Sequence, residues 1–373
     1  MIYLDNAATT RPLKSAVSAA ERALYDLYFN PSALYAGGIR TYREIDGARG
    51  EILSLLADRE NFELVFTSCG TEADNQAIFG SVKRGNFVTT AGEHAAVYEC
   101  AKELKNRGTD VRFAPLNGDG SVNEDELLRL VDENTSLVSV IHVNNETGAI
   151  NPIERISEKV KQKNSRAVFM SDGVQAFGKI PVRLTKNIDF YSVSAHKIGA
   201  LKGTGALFKR KKVNLAPYLY GGGQEGGKRS GTENVFGILT FASAAKEKCA
   251  LLKSDGERVL KLREMLLEKL DRNMFTRVSS ICGTPYILTV AAKGIRGETL
   301  VRMLSDRGVY AGTGSACSSK KPYSRVIEAC GVDRGLLNGI LRFSFSAENT
   351  QEEITSAAEI INATAKELYG RVK

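Results

Sequence analysis

The sequence predicts an α/β protein with a larger part built on a mainly parallel sheet and a smaller α+β part. Between about residues 60 and 210, short runs of β-branched and aromatic residues alternate with helical stretches. Such alternation is typical of a parallel sheet with helices on both faces. After a long helix-rich segment at 235–271, the order of strand and helix patterns changes. This change indicates that the segment connects to a second domain.

In the larger part, the predicted strands come in chain order with helical stretches at 71–85, 94–108 and 124–134 between the first four. The strands are ELVFTS (63–68), NFVTTAG (86–92), DVRFAPL (110–116), SLVSVIHV (136–143), AVFMSDG (167–173), DFYSVSAH (189–196) and TGALFKR (204–210). In the segment at 235–271, we expect the helix to be interrupted near Ser254 to Gly256, where polar residues and a glycine occur together.

The smaller part mixes short strands with helices. The expected strands are YILTVAAKG (286–294), VYAGTGSAC (309–317) and GILRFSFSA (339–347), and the helices are GETLVRMLSDRG (297–308) and RVIEACG (325–331). A final amphipathic helix opens with Thr350 and Glu353, whose spacing predicts a capping box.

Composition excludes several classes of protein. The 373 residues are 43% hydrophobic with no long apolar run, so a globular protein without a membrane span is expected. The start of the sequence resembles no targeting leader, and we therefore expect a cytoplasmic protein. Six scattered cysteines without a CxxC pair and only three histidines predict neither a disulfide framework nor a metal site. The net charge of +8 is thinly spread, so direct nucleic-acid binding is not expected.

Polar residues follow three of the predicted strands, where ligands gather in parallel sheets. These residues are Asp172 with Gln175, His142 with Asn144 and Asn145, and Ser194 with His196 and Lys197. A lysine and an aspartate at adjacent strand ends suit pyridoxal 5'-phosphate (PLP), because the amine can bind its aldehyde and the carboxylate can hold its pyridine nitrogen protonated. An ordinary polar strand end is the alternative for each position taken alone.

PLP also needs a phosphate site, and TSCGTEADN at 67–75 offers one where a strand becomes a helix. Backbone N–H groups and the helix dipole favour an anion at such a turn. Gly70 and Thr71 lie at this turn, and the spacing of Thr71 and Asp74 predicts a capping box. An ordinary strand-to-helix turn is the alternative.

The ordered motifs of the chain resemble those of the NifS/IscS-like cysteine desulfurases, which are class V aminotransferases of PLP fold-type I. The motifs cover nearly the whole chain: LDNAATT (4–10), NPS (30–32), TSCGTEADN (67–75), EH (93–94), HVNNETG (142–148), SDGVQ (171–175), SAHK (194–197), GGGQEGGKRSGTEN (221–234), GSACSS (314–319) and LRFS (341–344). The resemblance implies a seven-stranded, mainly parallel sheet in a large PLP-binding domain at 13–250. Residues 1–12 and 251–373 would form the small domain.

The resemblance also implies roles for individual residues. Lys197 would bind the cofactor aldehyde, Asp172 its pyridine nitrogen, and His94 would stack on the ring and pass protons. The residues implied to contact the cofactor or its phosphate are Gly70, Thr71, Gln175, Asn145, Ser194, His196 and, from the other subunit of a homodimer, Thr232. Arg342 would bind the substrate carboxylate together with Asn145. Taken alone, Arg342 fits a surface strand arginine better than a substrate-binding residue.

Cys317 lies in GSACSS, a run of small residues. A free cysteine is usually a buried, space-filling residue, but in this family the cysteine of S-A-C attacks the sulfur of L-cysteine and carries it as a persulfide. The resemblance therefore implies sulfur transfer from Cys317 to an acceptor protein that serves iron–sulfur cluster assembly or tRNA thiolation. By contrast, Cys100, Cys282 and Cys330 lie in apolar contexts and are expected to be structural.

Alternatives remain open from the sequence. Tyr35, Ala33 and Cys69 depart from the common family pattern, and Cys69 near the phosphate loop could be a second reactive thiol. A PLP-dependent aminotransferase or lyase for another amino acid, including a selenocysteine lyase, would not need Cys317 in the same way. A non-catalytic basic binding module would need neither PLP nor Lys197.

Overall fold

The computed structural model describes residues 1–82, 84–314 and 323–372, and the elements below lie within these ranges. The first half of the chain contains β1 (Ile2–Tyr3), α1 (Lys14–Asp26), α2 (Ala36–Leu56), β2 (Phe62–Thr67), α3 (Gly70–Ser81), β3 (Asn86–Thr90), α4 (Ala95–Asn106), β4 (Val111–Ala114), α5 (Glu124–Leu130), β5 (Thr135–Ser139), α6 (Ile153–Lys163), β6 (Val168–Asp172), β7 (Phe190–Ser194) and β8 (Gly205–Arg210). The remainder contains α7 (Val235–Ala250), α8 (Leu252–Lys269), β9 (Phe275–Arg277), β10 (Ile287–Ala292), α9 (Gly297–Asp306), β11 (Val309–Tyr310), α10 (Arg325–Ala329), β12 (Ile340–Ser344) and α11 (Gln351–Val372). Short 3-10 helices lie at Ala195–Lys197, Glu225–Gly227 and Leu337–Gly339.

The central sheet has seven strands in the order β2-β8-β7-β6-β5-β3-β4. All neighbours are parallel except β8, which runs antiparallel to both β7 and β2. The segment between β7 and β8 contains only one 3-10 turn, which is too short for the helical crossover that a parallel pair requires. The predicted fold class and its seven strands are confirmed.

Helices cover both faces of this sheet. Alternating residues of one strand face opposite sides, and in β2 Leu64 and Phe66 pack into one hydrophobic cluster with α2 and α7, whereas Val65 packs into another with α3 and α4. Both clusters are buried. The strand ends are thereby held rigidly, so the side chains that follow them have fixed positions.

The smaller part contains an antiparallel sheet in the order β12-β10-β9 and the parallel pair β1-β11. Its hydrophobic core combines residues of α8, α9 and α11 with the inner faces of these strands. Leu4, from the start of the chain, packs into the same core. The division into residues 13–250 against 1–12 and 251–373 stays a prediction.

Of two helix ends predicted from the sequence, one is wrong and one is confirmed. The expected interruption at Ser254 to Gly256 is wrong: α7 ends at Ala250 and α8 begins at Leu252, so Gly256 lies inside a helix. A helical glycine costs only about 1 kcal/mol, which the packing of α8 can offset. The capping box of α11 is confirmed, because Glu353 N donates to Thr350 Oγ1 and Thr350 N donates to Glu353 Oε2, each at 3.2 Å.

The N-terminal segment after β1 crosses from the smaller part to the end of the large sheet. Asn6 N donates to Ser344 O at 3.2 Å, and Thr10 N donates to His196 O at 3.0 Å. The backbone of residues 5–10 therefore lies directly over the end of β7. No helix within the described ranges is both long and apolar enough to cross a membrane.

Candidate active site

A cavity of about 250 Å³ lies beyond the carboxyl ends of β6 and β7. Most of the site residues predicted from the sequence line it. These are Gly70, Thr71, His94, Asn145, Asp172, Gln175, Ser194, His196, Lys197 and Arg342. The fold brings them together because parallel strands end at one edge of the sheet.

Lys197 lies in the 3-10 turn that follows β7. Its Nζ donates to the backbone carbonyls of Ala7 and Ala8, each at 2.8 Å. Burial, which is the largest cause, and the positive charge of Arg342, which is the next, lower the pKa of Lys197 to about 8. The amine is therefore more readily neutral, and hence nucleophilic, than an ordinary lysine.

Asp172 is the last residue of β6, and its carboxyl is buried. The backbone N–H of Val174 donates to its Oδ1 at 2.9 Å. Burial raises the pKa of Asp172, against the opposing effects of His94 and of that hydrogen bond. A second buried carboxyl, Asp74, also lines the cavity and is hydrogen-bonded by Ser192 Oγ, and burial raises its pKa well above the ordinary value.

The helix α3 begins at Gly70, and its capping differs from the sequence prediction. Cys69 is the N-cap: its Sγ accepts from Glu72 N at 3.4 Å, and Glu72 Oε2 accepts from Ser68 N at 2.8 Å. The predicted capping box of Thr71 and Asp74 is wrong, because the helix starts before Thr71 and the Asp74 side chain is buried within the fold. Thr71 is left at the cavity with an exposed side chain.

His94 is the N-cap of α4, and its ring lines the cavity. Ala96 N donates to Nδ1 at 3.2 Å. A nitrogen that accepts a hydrogen bond carries no proton, so the neutral ring holds its proton on Nε2. Burial lowers the pKa of His94, which favours this neutral form.

Arg342 lies in β12 and is buried, with 5% of its surface exposed. It is therefore not the surface arginine that the sequence alone also allowed. Its Nη1 donates to Asn145 O at 2.8 Å and its Nη2 to Asp5 Oδ1 at 2.9 Å. Nε is buried and has no hydrogen-bond partner among the described residues. A guanidinium has five N–H donors, so N–H groups remain for a ligand.

Two other predicted residues are held by the N-terminal segment. Gln175 Nε2 donates to Ala7 O at 2.8 Å. The Nδ1 atom of His196 lies 3.1 Å from Thr9 Oγ1. Burial lowers the pKa of His196 to about 4, with a further contribution from the charge of Lys197, so this ring is neutral at physiological pH.

Not every expected residue lies at the cavity. Thr232 is exposed and lies outside it, beside Gly231 and Glu233 in a separate depression. The buried ring of His142 instead pairs with Tyr191 Oη at 2.8 Å. Cys317 lies outside the described residues, although Gly314 just before it lines the cavity.

Of the three cysteines expected to be structural, two are buried and one is exposed. Cys100 and Cys330 are buried, and burial raises the pKa of each thiol to about 12. Cys282 is exposed, so its expected structural role is wrong: it lies in a loop between β9 and β10 rather than in an apolar element.

Four contributors to the site were not predicted from the sequence. Asp5 binds Arg342, and the carbonyls of Ala7 and Ala8 bind Lys197. Lys179 binds Gln175. Asp5, Ala7 and Ala8 belong to LDNAATT, which contributed to the sequence prediction only as a family motif. Every residue has a backbone carbonyl, so no sequence pattern distinguishes those of Ala7 and Ala8. The sequence around Lys179 gives no indication that this lysine is buried.

The model of the family described as "Aminotransferase class-V" matches residues 2–356. The chain belongs to this family. The match spans β1 to α11, so the two sheets and the cavity between them all lie within the class-V region.

Individual relatives agree with the class-V assignment. The chain is 37% identical to "Cysteine desulfurase IscS" of Methanosarcina thermophila, over 98% of this chain and 92% of the relative. A solved structure titled "NIFS-LIKE PROTEIN" is 34% identical, with a TM-score of 0.92 and coverage of 98% of this chain and 100% of that one. Another, "SspA in complex with cysteine", is 27% identical, with a TM-score of 0.81 and coverage of 94% and 100%. The resemblance to NifS/IscS-like cysteine desulfurases is confirmed.

Proposed function

We propose that this protein is a PLP-dependent cysteine desulfurase, which converts L-cysteine to L-alanine and holds the released sulfur as a persulfide on Cys317. One observation carries the proposal. The nucleophilic amine of Lys197, the buried carboxyl of Asp172 and the buried guanidinium of Arg342 meet around a single cavity. Relatives with cysteine desulfurase names cover nearly the whole chain.

The residues of the cavity fit PLP. Ser194 Oγ is buried and has no hydrogen-bond partner among the described residues, so a phosphate oxygen would satisfy it together with Thr71 and the N-terminus of α3. His196 completes this side of the cavity. When bound, PLP supplies an electron sink for the bonds at the α-carbon of an amino acid.

Asp172 and Gln175 would hold the ring of the cofactor. A carboxyl whose pKa is raised by burial gains most from a cationic partner, and a pyridine N–H beside Asp172 would be such a partner. Gln175 presents its amide to the same cavity. His94 lines the same cavity and would stack on the ring.

Arg342 and Asn145 would bind the substrate carboxylate. The guanidinium is planar and matches a carboxylate with paired N–H groups. Asp5 and the Asn145 carbonyl fix its orientation before substrate arrives, so little conformational entropy is lost on binding.

Proton transfers fall to Lys197 and His94. The Lys197 amine would remove the α-proton of the substrate, a role that suits an amine with a pKa of about 8. His94 holds its proton on Nε2, since Nδ1 accepts from the backbone. It would donate that proton near the substrate sulfur.

Cys317 would take the sulfur. Its thiolate sulfur forms a bond to the sulfur of cysteine, the carbon–sulfur bond breaks, and the electron pair left on carbon is protonated to give alanine. Gly314, three residues before Cys317 in the sequence, lines the cavity.

Partners are part of the proposal. The sulfur acceptor would be a protein thiol of an iron–sulfur scaffold or of a tRNA-thiolation relay, and the location would be cytoplasmic. A homodimer would place Thr232 at the partner's cavity. Support comes from large exposed apolar side chains on and around α1 and α2, namely Leu24, Tyr25, Tyr28, Leu34, Tyr35 and Tyr42, because such a cluster is typical of a subunit interface.

The test is sulfide release from L-cysteine by the PLP-loaded protein with a thiol reductant, together with alanine formation. We expect Cys317→Ala to remain yellow and to lose sulfide release. The control is Cys330→Ala, which removes a buried thiol outside the cavity and is expected to stay active. Equal activity in Cys317→Ala and wild type would exclude the persulfide role, and transamination without sulfide would favour an aminotransferase.

A further inference from the structure

Lys179 is a buried lysine to which the proposed mechanism gives no task. It follows Gly178, whose φ of +68° allows the chain to turn after β6. Only 8% of Lys179 is exposed. Within the part of the chain that the structure describes, its ammonium group makes no ion pair with a carboxylate. Buried lysines without a counter-charge are costly, so a specific role is expected.

The Nζ of Lys179 donates to Oε1 of Gln175 at 2.7 Å. Gln175 is also buried, and its Nε2 donates to Ala7 O at 2.8 Å. Lysine can only donate and a carbonyl can only accept. The two contacts therefore fix which end of the Gln175 amide is oxygen and which is nitrogen, without the ambiguity that an amide usually has.

The hydrogen bonds of Gln175 also connect Lys179 to Lys197. The Ala7 carbonyl that accepts from Gln175 also accepts from Lys197 Nζ at 2.8 Å. A continuous path of hydrogen bonds thus runs from Lys179 through Gln175 and Ala7 O to Lys197. Burial lowers the pKa of Lys179 to about 7, and the charge of Lys197 is the next largest cause, so the two amines repel each other.

We propose that Lys179 is a positioning residue, which holds the Gln175 amide so that it presents an N–H donor, rather than an oxygen, to the cofactor in the cavity. The role rests on the proposed function, since the ligand that Gln175 contacts is PLP. Either protonation state of Lys179 retains N–H groups, so the hydrogen bond to Oε1 persists through neutral pH. Its charge, when present, also favours the neutral amine of Lys197.

The test compares Lys179→Met with Lys209→Met. Lys209 is an equally buried lysine, 3% exposed, which pairs with Glu63 at 2.7 Å outside the cavity. We measure the PLP dissociation constant of the unloaded protein, and the midpoint of the pH titration of visible absorbance in the loaded protein. In Lys179→Met we expect PLP affinity to fall about tenfold and the midpoint to move upward, because the Gln175 N–H that favours the deprotonated form of the bound cofactor is no longer held in place. Lys209→Met should change neither.

A double-mutant cycle shows whether the effect passes through Gln175. In a Gln175→Ala background, Lys179→Met should cause no further loss of PLP affinity. Additive losses would overturn the positioning role, as would a Lys179→Met protein with wild-type affinity. Urea unfolding checks that the variants are folded. If the Met variant is not, Lys179→Gln, whose side-chain nitrogen lies one bond closer to the backbone than Nζ and so loses the contact with Oε1, is measured against the same control and should show an upward midpoint, whereas an unchanged midpoint contradicts the role.

The two proposals fail differently. Wild-type protein that neither binds PLP nor releases sulfide from L-cysteine would refute the proposed function and the role of Lys179 with it. Wild-type protein that does both, while Lys179→Met matches Lys209→Met in affinity and titration, would overturn the role of Lys179 alone.

Discussion

Arg342 Nη2 donates a hydrogen bond of 2.9 Å to Asp5 Oδ1, which joins the last strand of the smaller part to the first residues of the chain. The pair lies at the cavity wall, where the arginine side chain is 6% exposed and the aspartate side chain 24%. A charged pair so shielded from solvent keeps a fixed geometry better than a surface pair does. The guanidinium is consequently oriented before any carboxylate arrives.

Arg342→Lys should raise the KM for L-cysteine on the order of tenfold to a hundredfold, with a smaller change in kcat. Lysine keeps the charge but lacks the planar, paired N–H groups that match a carboxylate. The loss corresponds to about 1.5–3 kcal/mol, the range for a hydrogen bond to a charged group. Steady-state sulfide release gives both constants.

The matched control is Arg277→Lys. Arg277 lies in β9 and donates to the carbonyls of Ser279 and Ser280, and it does not line the cavity. Its substitution should leave KM unchanged. A KM in Arg342→Lys equal to that of the control would show that Arg342 does not bind the substrate.

The lowered pKa of Lys197 predicts how the unloaded protein captures PLP as pH changes. Only the neutral amine attacks an aldehyde, so the capture rate should rise with pH and level off above about pH 8. Stopped-flow absorbance between pH 6 and 10.5 measures it. In Arg342→Met the midpoint should move upward, because a charge that lowers the pKa of Lys197 is removed. A wild-type midpoint near 10.5, the ordinary lysine value, would contradict the prediction.

The sequence predicted the sheet well because its strands are buried on both faces and appear as short apolar runs separated by helical patterns. Residues at the ends of those strands, such as Asp172 and Lys197, were predictable for the same reason. Their chemistry is specific to residue type, and parallel strands bring such positions to one edge.

Other contributors were beyond the sequence for physical reasons. Ala7 and Ala8 act through backbone carbonyls, which every residue has. Lys179 is a lysine whose burial depends on tertiary packing around the turn at Gly178, and lysines are mostly exposed. The capping of α3 was misassigned by two residues, because Cys69 was not considered as a cap and helix ends are the least certain feature of a sequence prediction.

His94 should have two separable functions, one in the helix and one in catalysis. His94→Asn retains a side-chain oxygen that can accept from Ala96 N, whereas His94→Ala removes the cap of α4. Both variants should lose about 10²- to 10⁴-fold in kcat, because Nε2–H is gone. Only His94→Ala should lose about 1 kcal/mol in the free energy of unfolding.

Measurement combines sulfide release with urea unfolding of the unloaded variants. The two variants differ in the cap alone, so a difference in kcat between them would show that cap geometry, rather than the Nε2 proton, limits the reaction. Near wild-type kcat in both would exclude His94 from proton transfer.

Ser194→Ala should affect the unloaded and loaded protein in opposite directions. In the unloaded protein, Ser194 Oγ is buried and has no hydrogen-bond partner among the described residues. Removing an unpaired buried hydroxyl, so that CH2OH becomes CH3, is neutral or stabilising, and urea unfolding should therefore show equal or higher stability. A phosphate bound beside β7 would lose a donor, and PLP affinity should fall about tenfold.

The control for Ser194→Ala is Ser139→Ala, since Ser139 Oγ is also buried with no hydrogen-bond partner in the described part of the chain but lies outside the cavity. Its removal should leave PLP affinity unchanged and should not lower stability. If Ser194→Ala also kept full affinity, the unpaired hydroxyl would be a cost of packing rather than part of a phosphate site. If Ser194→Ala lowered PLP affinity and Ser139→Ala did not, binding of the cofactor phosphate would explain why the unpaired hydroxyl of Ser194 is buried in the unloaded protein.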